Sequence, residues 1–274
     1  MEQSKDALND LLQKSILGDI VSIKEIEKII VSFQVMKPTH TDIFTFYTDS
    51  ATKGNSYAEC LLGEMYLFGI GTPIDTKHAL NLLEKSVSQN NFYAQYYLAL
   101  QYLDLEIPEV DIDTSHRKAY ELMKLSAEQN YPEAQYYLGY LYQIGRGTAL
   151  NYPLAEQNFL LAAEGSFSSA HHDLIALYTN FEYYPKDADM TKIYRWYMKR
   201  IYEHDEVASG ALHMIIQKRP SMWKFVINES LASHKKIHEM ENLIEHMRYA
   251  PNGYHYNKIE DEFYTLAAGS CRKR

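Results

Sequence analysis

The sequence predicts an all-α protein, a solenoid of stacked helical hairpins. Two observations predict this fold. An alanine recurs at intervals of 36 to 40 residues, and each copy begins the same apolar helical stripe. A period of this length is typical of stacked arrays, in which no single unit can bury its apolar face alone. The recurring alanines are Ala58, Ala94, Ala134, Ala170 and Ala208.

The stripe continues with a leucine four residues after each alanine and, in the first four copies, a tyrosine eight residues after it. The position five residues after the alanine is glycine or alanine in the first three copies. Because these spacings place the side chains on one face of a helix, the stripe predicts a buried helical surface. The leucines and tyrosines are Leu62, Leu98, Leu138, Leu174, Leu212, Tyr66, Tyr102, Tyr142 and Tyr178.

A second helix is predicted before each alanine, because a small or branched residue stands seven positions earlier in every copy. Glycine loops separate the paired helices, Gly69-Ile-Gly71 in one copy and Gly145-Arg-Gly147 in another. Glycine just past a helix end adopts the left-handed conformation that caps the last carbonyls. A phosphate-binding loop would need a preceding strand and a third glycine, and the sequence shows neither.

The pattern Ala-x3-Leu-Gly-x2-Tyr, followed by Gly-x-Gly and Lys-x-Ala, resembles the Sel1-like repeat, a relative of the tetratricopeptide repeat. The resemblance covers residues 42–204 and implies a right-handed superhelix with a concave binding face. It is strong in the copies at Ala58 and Ala134 and weaker in those at Ala94 and Ala170. The residues that carry the two strong copies are Ala58, Leu62, Gly63, Tyr66, Gly69, Gly71, Lys77 and Ala79, then Ala134, Leu138, Gly139, Tyr142, Gly145, Gly147 and Ala155.

Helical caps are predicted at both ends, because an open solenoid would expose its apolar core. Residues 5–17 and 19–33 form two amphipathic helix patterns, and Pro38 and Thr39 end this section. Residues 42–53 then supply the second helix of an incomplete leading repeat. After His204 the pattern fades into helix patterns over 207–217, 222–227, 231–247 and 258–266. The predicted regions are an N-terminal helical cap (1–36), the repeat solenoid (37–204) and a C-terminal helical extension (205–274).

The charge distribution disfavours nucleic acid as a partner. The net charge is -9, and from Asp205 onward ten Lys and Arg face nine Asp and Glu, so the preceding residues carry ten excess negative charges. A duplex-binding protein needs a basic surface to displace counterions from phosphate.

Cys60 and Cys271 do not suggest a disulfide framework, and neither a leader nor a membrane span is recognisable. A cytoplasmic location without membrane insertion is predicted, either where the protein is made or in a host cell after translocation.

The signals for chemistry are weak. His234 and His238 stand four residues apart on one predicted helix, with His246 nearby. A zinc protease motif would have glutamate directly after the first histidine, where this chain has Lys235. A solvated polar helix face explains these residues better, so no cofactor, metal ion or catalytic residue is predicted. The alternative is a hydrolase or metal-dependent enzyme that uses these C-terminal His and Glu residues.

Tyrosine is over-represented, with 24 copies, and part of this surplus is expected on a binding surface. If the core stripe contains positions 0, +4 and +8 of each first helix, then positions +2, +3 and +6 point away from it. A wall of such residues would suit a helix or an extended segment of another protein. The alternative is that neighbouring repeats cover them. The candidate partner-binding residues are Tyr96, Tyr97, Leu100, Tyr136, Tyr137, Tyr140, His172 and Asp173.

These observations favour a non-catalytic, monomeric protein that binds a partner protein to scaffold, regulate or inhibit it. A leaderless, tyrosine-rich Sel1-like chain resembles effectors that intracellular bacterial pathogens inject into host cells, and the metaeffectors that restrain another effector. Glu260-Asp261-Glu262 is similar to the acidic C-terminal signals of type IV substrates, although an ordinary acidic helix explains it equally well. Translocation measured after deletion of this segment would separate an injected effector from an adaptor that stays in the bacterium.

Overall fold

A computed structural model describes residues 2–31, 37–104, 110–184 and 190–219, and every regular element in these ranges is an α-helix. This result confirms the predicted all-α class. The chain forms two compact units, Met1–Phe167 and Ser168–Arg274. None of the helices in the described ranges is both long and apolar enough to span a membrane. The helices of the first unit are α1 (Glu2–Ser15), α2 (Ile20–Val31), α3 (Lys37–Thr52), α4 (Ser56–Phe68), α5 (Thr76–Ser88), α6 (Phe92–Leu103), α7 (Ile112–Glu128), α8 (Pro132–Ile144) and α9 (Tyr152–Glu164).

The first unit is a stack of helical hairpins. Its hairpins are α4 with α5, α6 with α7, and α8 with α9, and within each the two helices pack along one another. The second helix of one hairpin also packs against the first helix of the next, α5 on α6 and α7 on α8. Helix α3 packs on α4 as the predicted second helix of an incomplete leading repeat, and α1 packs on α2. The predicted solenoid of interdependent hairpins is confirmed.

The recurring stripe forms the core. All five stripe alanines have no exposed surface, and the leucines that follow them are at most 5% exposed. The small residue at the fifth position lets the paired helices approach closely. A Cβ atom added at Gly139 would lie 2.9 Å from the ring of Phe159 and 3.1 Å from the carbonyl oxygen of Ala155. Glycine is therefore required there by packing, because it leaves room for a large ring from α9.

An equivalent hydrogen bond occurs within each of two hairpins. It connects the second helix of the hairpin to the start of its first helix. The Ser86 hydroxyl donates to the carbonyl oxygen of Ser56, and the Ser126 hydroxyl donates to that of Phe92, both at 2.7 Å. Both serines are buried and stand eight positions before the next stripe alanine. The carbonyls lie in the first turn of α4 and α6, at equivalent positions of the repeat. The third hairpin has Ala162 instead, and this residue packs without exposure.

The turn between consecutive hairpins has a constant backbone feature. The residue four positions before each stripe alanine has a positive φ in all five copies, although only the first is glycine. This left-handed conformation costs roughly 1–2 kcal/mol for a residue with a Cβ atom, and asparagine tolerates it best. The residues and their φ angles are Gly54 (82°), Asn90 (58°), Asn130 (63°), Ser166 (67°) and His204 (63°).

Ser166→Gly is expected to raise the free energy of unfolding by about 0.5–1 kcal/mol. Glycine relieves the left-handed strain at this position, and the relief exceeds the entropy that glycine adds to the unfolded chain. Urea denaturation followed by circular dichroism measures the change. Ser88, exposed in the last turn of α5, is the matched control, and Ser88→Gly is expected to lower stability by about 0.5 kcal/mol. Destabilisation by both substitutions would contradict the strain argument.

The glycine loops cap helices, as predicted. Gly69 and Gly145 are left-handed with φ of 69° and 66°, and their backbone N–H groups donate to Met65 and Leu141. The second glycine of each loop has a packing role that the sequence did not reveal. A Cβ atom at Gly147 would lie 2.1 Å from the carbonyl oxygen of His116 in α7. The loop of one repeat therefore packs directly on the backbone of the preceding repeat.

One predicted boundary was wrong. Helix α3 begins at Lys37, whereas the sequence analysis placed the end of the N-terminal section at Pro38 and Thr39 and the helix start at Asp42. Proline is tolerated in the first turn of a helix because the backbone N–H that it lacks has no partner there. Pro38 therefore belongs to the first turn of α3.

The second unit has three described helices, α10 (Ala170–Tyr178), α11 (Thr191–Tyr202) and α12 (Glu206–Lys218). Helix α12 packs against both of the others. Two aromatic residues of α11, Tyr194 and Tyr197, are buried and belong to the core of this unit. The helix patterns over 222–227, 231–247 and 258–266 lie outside the described residues. The three-region organisation of the chain stays a prediction.

Candidate functional site

The first unit contains a cavity of about 590 Å³ whose wall is rich in tyrosine. We call it the tyrosine cavity. Three segments contribute to it: the middle of α2, the first turns of α6, and the residues around the start of α8. Two of the predicted partner-binding residues, Tyr96 and Tyr97, line it. The lining residues are Lys24, Glu27, Lys28, Tyr93, Tyr96, Tyr97, Tyr131 and Glu133.

The four rings of the cavity form a continuous aromatic wall. Ring centroids lie 4.9 Å apart for Tyr93 and Tyr97, and 5.2 Å apart for Tyr96 with Tyr97 and for Tyr96 with Tyr131. These distances and the tilted or edge-on orientations are those of favourable aromatic pairs. Tyr93 and Tyr131 are buried at the back of the wall, whereas Tyr96 and Tyr97 are half-buried and reach its accessible side.

Local sequence explains why three of these rings share one side of α6. The side chain of Asn91 caps the helix by accepting hydrogen bonds from the backbone N–H groups of Tyr93 and Ala94. Residues three and four apart are neighbours on a helix surface, so Tyr93, Tyr96 and Tyr97 project together. Tyr93 and Tyr131, which precede the stripe alanines by one and three positions, were not among the predicted residues. At least one aromatic residue stands within three positions before each of the first four stripe alanines, and this is the signal that would have found them.

Helix α2 lines the cavity beside the rings. The carboxylate of Glu27 accepts hydrogen bonds from the hydroxyls of Tyr93 and of Tyr97, the latter at 2.8 Å. One turn earlier on α2, the Lys24 ammonium forms an ion pair with Glu133. Helix α2 was predicted only as part of the N-terminal cap. The structure shows that it also covers part of the predicted tyrosine surface, with its Ile23 and Ile26 fully buried.

A buried acidic group lies near the cavity. Glu64 on α4 is almost fully buried, and its Oε1 atom is 3.8 Å from the Cys60 sulfur. Burial raises the pKa of Glu64 well above its usual range, and the nearby charge of Glu27 adds to the shift. Burial also raises the pKa of the Cys60 thiol. The raised pKa values favour the protonated form of each group, and the Cys60 thiol is therefore unreactive at pH 7.

The phenols of the wall remain protonated donors. Burial raises the pKa of Tyr93, Tyr96, Tyr97 and Tyr131 above the usual value, and neighbouring carboxylates add to each shift. The same carboxylates favour a positive group placed in the cavity.

The remaining predicted residues of this unit extend the wall along α8. The ring of Tyr137 lies 5.7 Å from that of Tyr96, and Tyr136 lies 5.4 Å from Tyr137. Tyr136 also contacts Phe159 and Phe167, so it contributes to packing inside its own hairpin. Tyr140, one turn further along α8, is 38% exposed. Leu100 on α6 is half-buried. A role of these residues in partner binding stays a prediction.

The second unit carries the other two candidates, His172 and Asp173, near the start of α10. His172 is exposed and Asp173 is half-buried. The adjacent His171 is buried, and its Nε2 atom lies 3.4 Å from Asp205, which also pairs with Arg200 at 3.0 Å. Burial lowers the pKa of His171, so the ring is neutral at pH 7. This histidine belongs to the interior.

No metal-binding arrangement stands out in the part of the chain that the structure describes, where no three His, Cys, Asp or Glu side chains cluster suitably. The three C-terminal histidines, His234, His238 and His246, lie outside the described residues. The alternative of a C-terminal enzyme therefore stays untested.

Comparison with known families identifies the repeat. Residues 56–91, 92–131 and 132–167 each match the family model for the Sel1 repeat. Each matched segment begins two residues before a stripe alanine and contains one helical hairpin. The copies at Ala170 and Ala208 lie outside the matched segments.

Similar solved structures support the fold. A crystal structure of a Sel1 repeat protein from Oxalobacter formigenes superposes with a TM-score of 0.51 at 25% identity, over 62% of this chain and 68% of that one. A second crystal structure is that of c5321, described as a protective antigen present in uropathogenic Escherichia coli strains with an SLR fold. It superposes with a TM-score of 0.53 at 23% identity, over 85% of this chain and 50% of c5321.

A relative in Neisseria meningitidis serogroup B, the uncharacterised protein NMB1327, is 31% identical over 136 residues. The match covers 50% of this chain and 26% of the relative. The chain therefore spans about a quarter of the length of this curated relative.

Proposed function

We propose that this chain, in which three consecutive segments match the Sel1 repeat, binds a partner protein through the tyrosine surface of its first unit. Sel1 repeats typically serve as protein–protein interaction modules. The observation that carries the proposal is the aromatic wall that runs from the tyrosine cavity to Tyr137 and Tyr136 on α8, with the exposed Tyr140 one turn further along that helix. Through it the protein would scaffold, regulate or inhibit its partner.

The chemistry of the wall suits a protein segment. Tyr96, Tyr97 and Tyr137 offer ring surface for apolar side chains and hydroxyls for hydrogen bonds. Tyrosine has few rotatable bonds, so it loses little conformational entropy when a partner covers it, and it is enriched at binding hot spots. The excess of negative charge in the first 204 residues disfavours nucleic acid and favours a partner with a basic surface.

Tyr140→Ala is expected to weaken partner binding about tenfold, because it removes an exposed ring at the open end of the wall. Tyr140 is a better choice than Tyr136, which packs against Phe159 and Phe167. Affinity capture with the purified chain from bacterial and host lysates identifies the partner, and calorimetry with the purified partner measures the affinity.

The matched control for this experiment is Phe68→Ala, an aromatic residue that is 63% exposed at the end of α4 and lies outside the wall. This variant is expected to retain the affinity of the wild type. Equal affinities for wild type and Tyr140→Ala would show that the partner binds elsewhere. Equal losses in both variants would indicate a non-specific contribution of exposed aromatic rings.

The finer hypothesis of an injected effector that restrains another effector extends this proposal. It depends on Glu260-Asp261-Glu262, which lies outside the described residues, and it stays a prediction from the sequence. A translocation assay of chains with and without this segment tests it, and unchanged translocation would remove the support that the acidic segment gives to injection.

A further inference from the structure

We propose that the tyrosine cavity receives an arginine side chain of the partner protein, and that Lys24 occupies this place in the free protein. The inference rests on the proposed function, because it names the chemistry of the partner at the same surface. Three features of one cavity carry it: a mostly buried carboxylate with unused hydrogen-bonding capacity, an exchangeable lysine, and the wall of tyrosine rings.

The carboxylate is Glu133, at the start of α8. Its side chain is only 13% exposed, whereas that of its partner Lys24 is 44% exposed. Lys24 contacts the Oε1 atom. The Oε2 atom is buried and has no hydrogen-bond partner among the described residues. A carboxylate can accept two parallel N–H bonds from one guanidinium group, so Glu133 has acceptor capacity for a fork-shaped donor that the Lys24 ammonium leaves unused.

The rings favour a planar cation. Tyr96 and Tyr97 border the cavity on its accessible side, with Tyr131 buried behind them. Guanidinium groups stack on aromatic faces and are less strongly hydrated than ammonium groups, so arginine is the better occupant of such a cavity. Glu27 also lines the cavity, and its two hydrogen bonds with tyrosine hydroxyls hold it there as a second negative charge.

Lys24 is positioned as a replaceable occupant. The ion pair is half-exposed at its lysine end, and ion pairs of this kind contribute little to stability. Lys28, one turn further on α2, also lines the cavity but is 71% exposed and pairs with Glu25 at 2.6 Å. An incoming arginine therefore has to displace only one cation from Glu133.

The test compares two small probes that have nearly the same shape, N-acetyl-arginine amide and uncharged N-acetyl-citrulline amide. Nuclear magnetic resonance of the tyrosine rings in the full chain follows each titration. We expect the arginine probe to bind the wild type about tenfold more tightly than the citrulline probe. Lys24→Ala is expected to tighten arginine binding about tenfold, because it frees the carboxylate, and Glu133→Gln is expected to remove the preference for arginine. Lys14→Ala removes a lysine from an exposed ion pair with Asp10 on α1, outside the cavity, so it is the matched control and should behave as the wild type.

Equal binding of the arginine and citrulline probes to the wild type would overturn the proposal, and so would unchanged arginine affinity in Lys24→Ala. Equal binding of N-acetyl-lysine amide and the arginine probe would overturn the choice of arginine. These comparisons do not require Glu133→Gln to fold, and circular dichroism shows whether it does. Because the assay contains no partner protein, its failure leaves the proposed function standing if binding of the partner still depends on Tyr140. Conversely, if the arginine probe binds but no partner protein is found whose binding depends on Tyr140, the result counts against the proposed function and not against the arginine site.

Discussion

Phe159→Ala is expected to lower the free energy of unfolding by about 3–5 kcal/mol, the largest effect of any single truncation considered for this chain. Phe159 has no exposed surface. Its ring lies against Gly139, where the two helices of the third hairpin approach, and 5.8 Å from the ring of Tyr136. Glycine has no side chain that could move into the space, so the substitution leaves a cavity between α8 and α9.

Urea denaturation followed by circular dichroism measures this loss. Phe68→Ala removes an equally large ring from a position that is 63% exposed, and we expect a change below about 1 kcal/mol. Similar losses in the two variants would show that Phe159 is not a core residue of the hairpin.

Gly147→Ala is expected to cost about 3 kcal/mol or more, because two penalties coincide. The residue has a φ of 71°, and the added methyl group would lie 2.1 Å from a backbone oxygen of the preceding repeat, that of His116. A backbone atom cannot rotate away as a side chain can, so the loop and α7 would have to separate.

Two other glycines allow the cost of the positive φ to be measured separately from the cost of the steric contact. Gly54 has a φ of 82° but open space around it, so Gly54→Ala should cost only the conformational strain of about 1–2 kcal/mol. Gly210 lies in α12 with neither constraint, and Gly210→Ala is expected to stabilise the second unit by up to about 1 kcal/mol. If Gly147→Ala costs no more than Gly54→Ala, the loop does not depend on its contact with α7.

The sequence predicted the repeat core because its signal is local. An alanine, a leucine and a small residue at fixed spacing on one helix define both the buried face and the point of closest approach, and Leu138 and Gly139 illustrate the pair. The period of the pattern then determines how the hairpins follow one another. No long-range information was needed to predict that these residues are buried.

The tyrosine cavity was only half predicted, because part of it depends on contacts between distant segments. Tyr96 and Tyr97 follow from their positions relative to the stripe. The approach of α2 cannot be predicted in this way, because Lys24 and Glu133 stand 109 residues apart in the sequence. Each is a polar residue typical of a helix surface, so neither segment indicates the contact. No periodic pattern reports which helix covers which surface.

The left-handed turns were missed for a related reason. Asn90 and Asn130 are typical of such a backbone, but Ser166 and His204 are not, so residue type alone gives a weak signal. The constant position relative to the stripe alanine is the better predictor. It becomes visible only when the repeats are aligned with one another.

The contacts of α2 also affect how the first unit unfolds. In an ideal repeat array each repeat touches only its neighbours, so the ends fray first and opening proceeds stepwise. Here Glu27 meets a tyrosine 66 residues away and Lys24 meets a carboxylate 109 residues away, so one N-terminal helix contacts the second and third hairpins directly. Loss of α2 would loosen several hairpins together, which gives this segment of the chain the cooperativity of a globular domain.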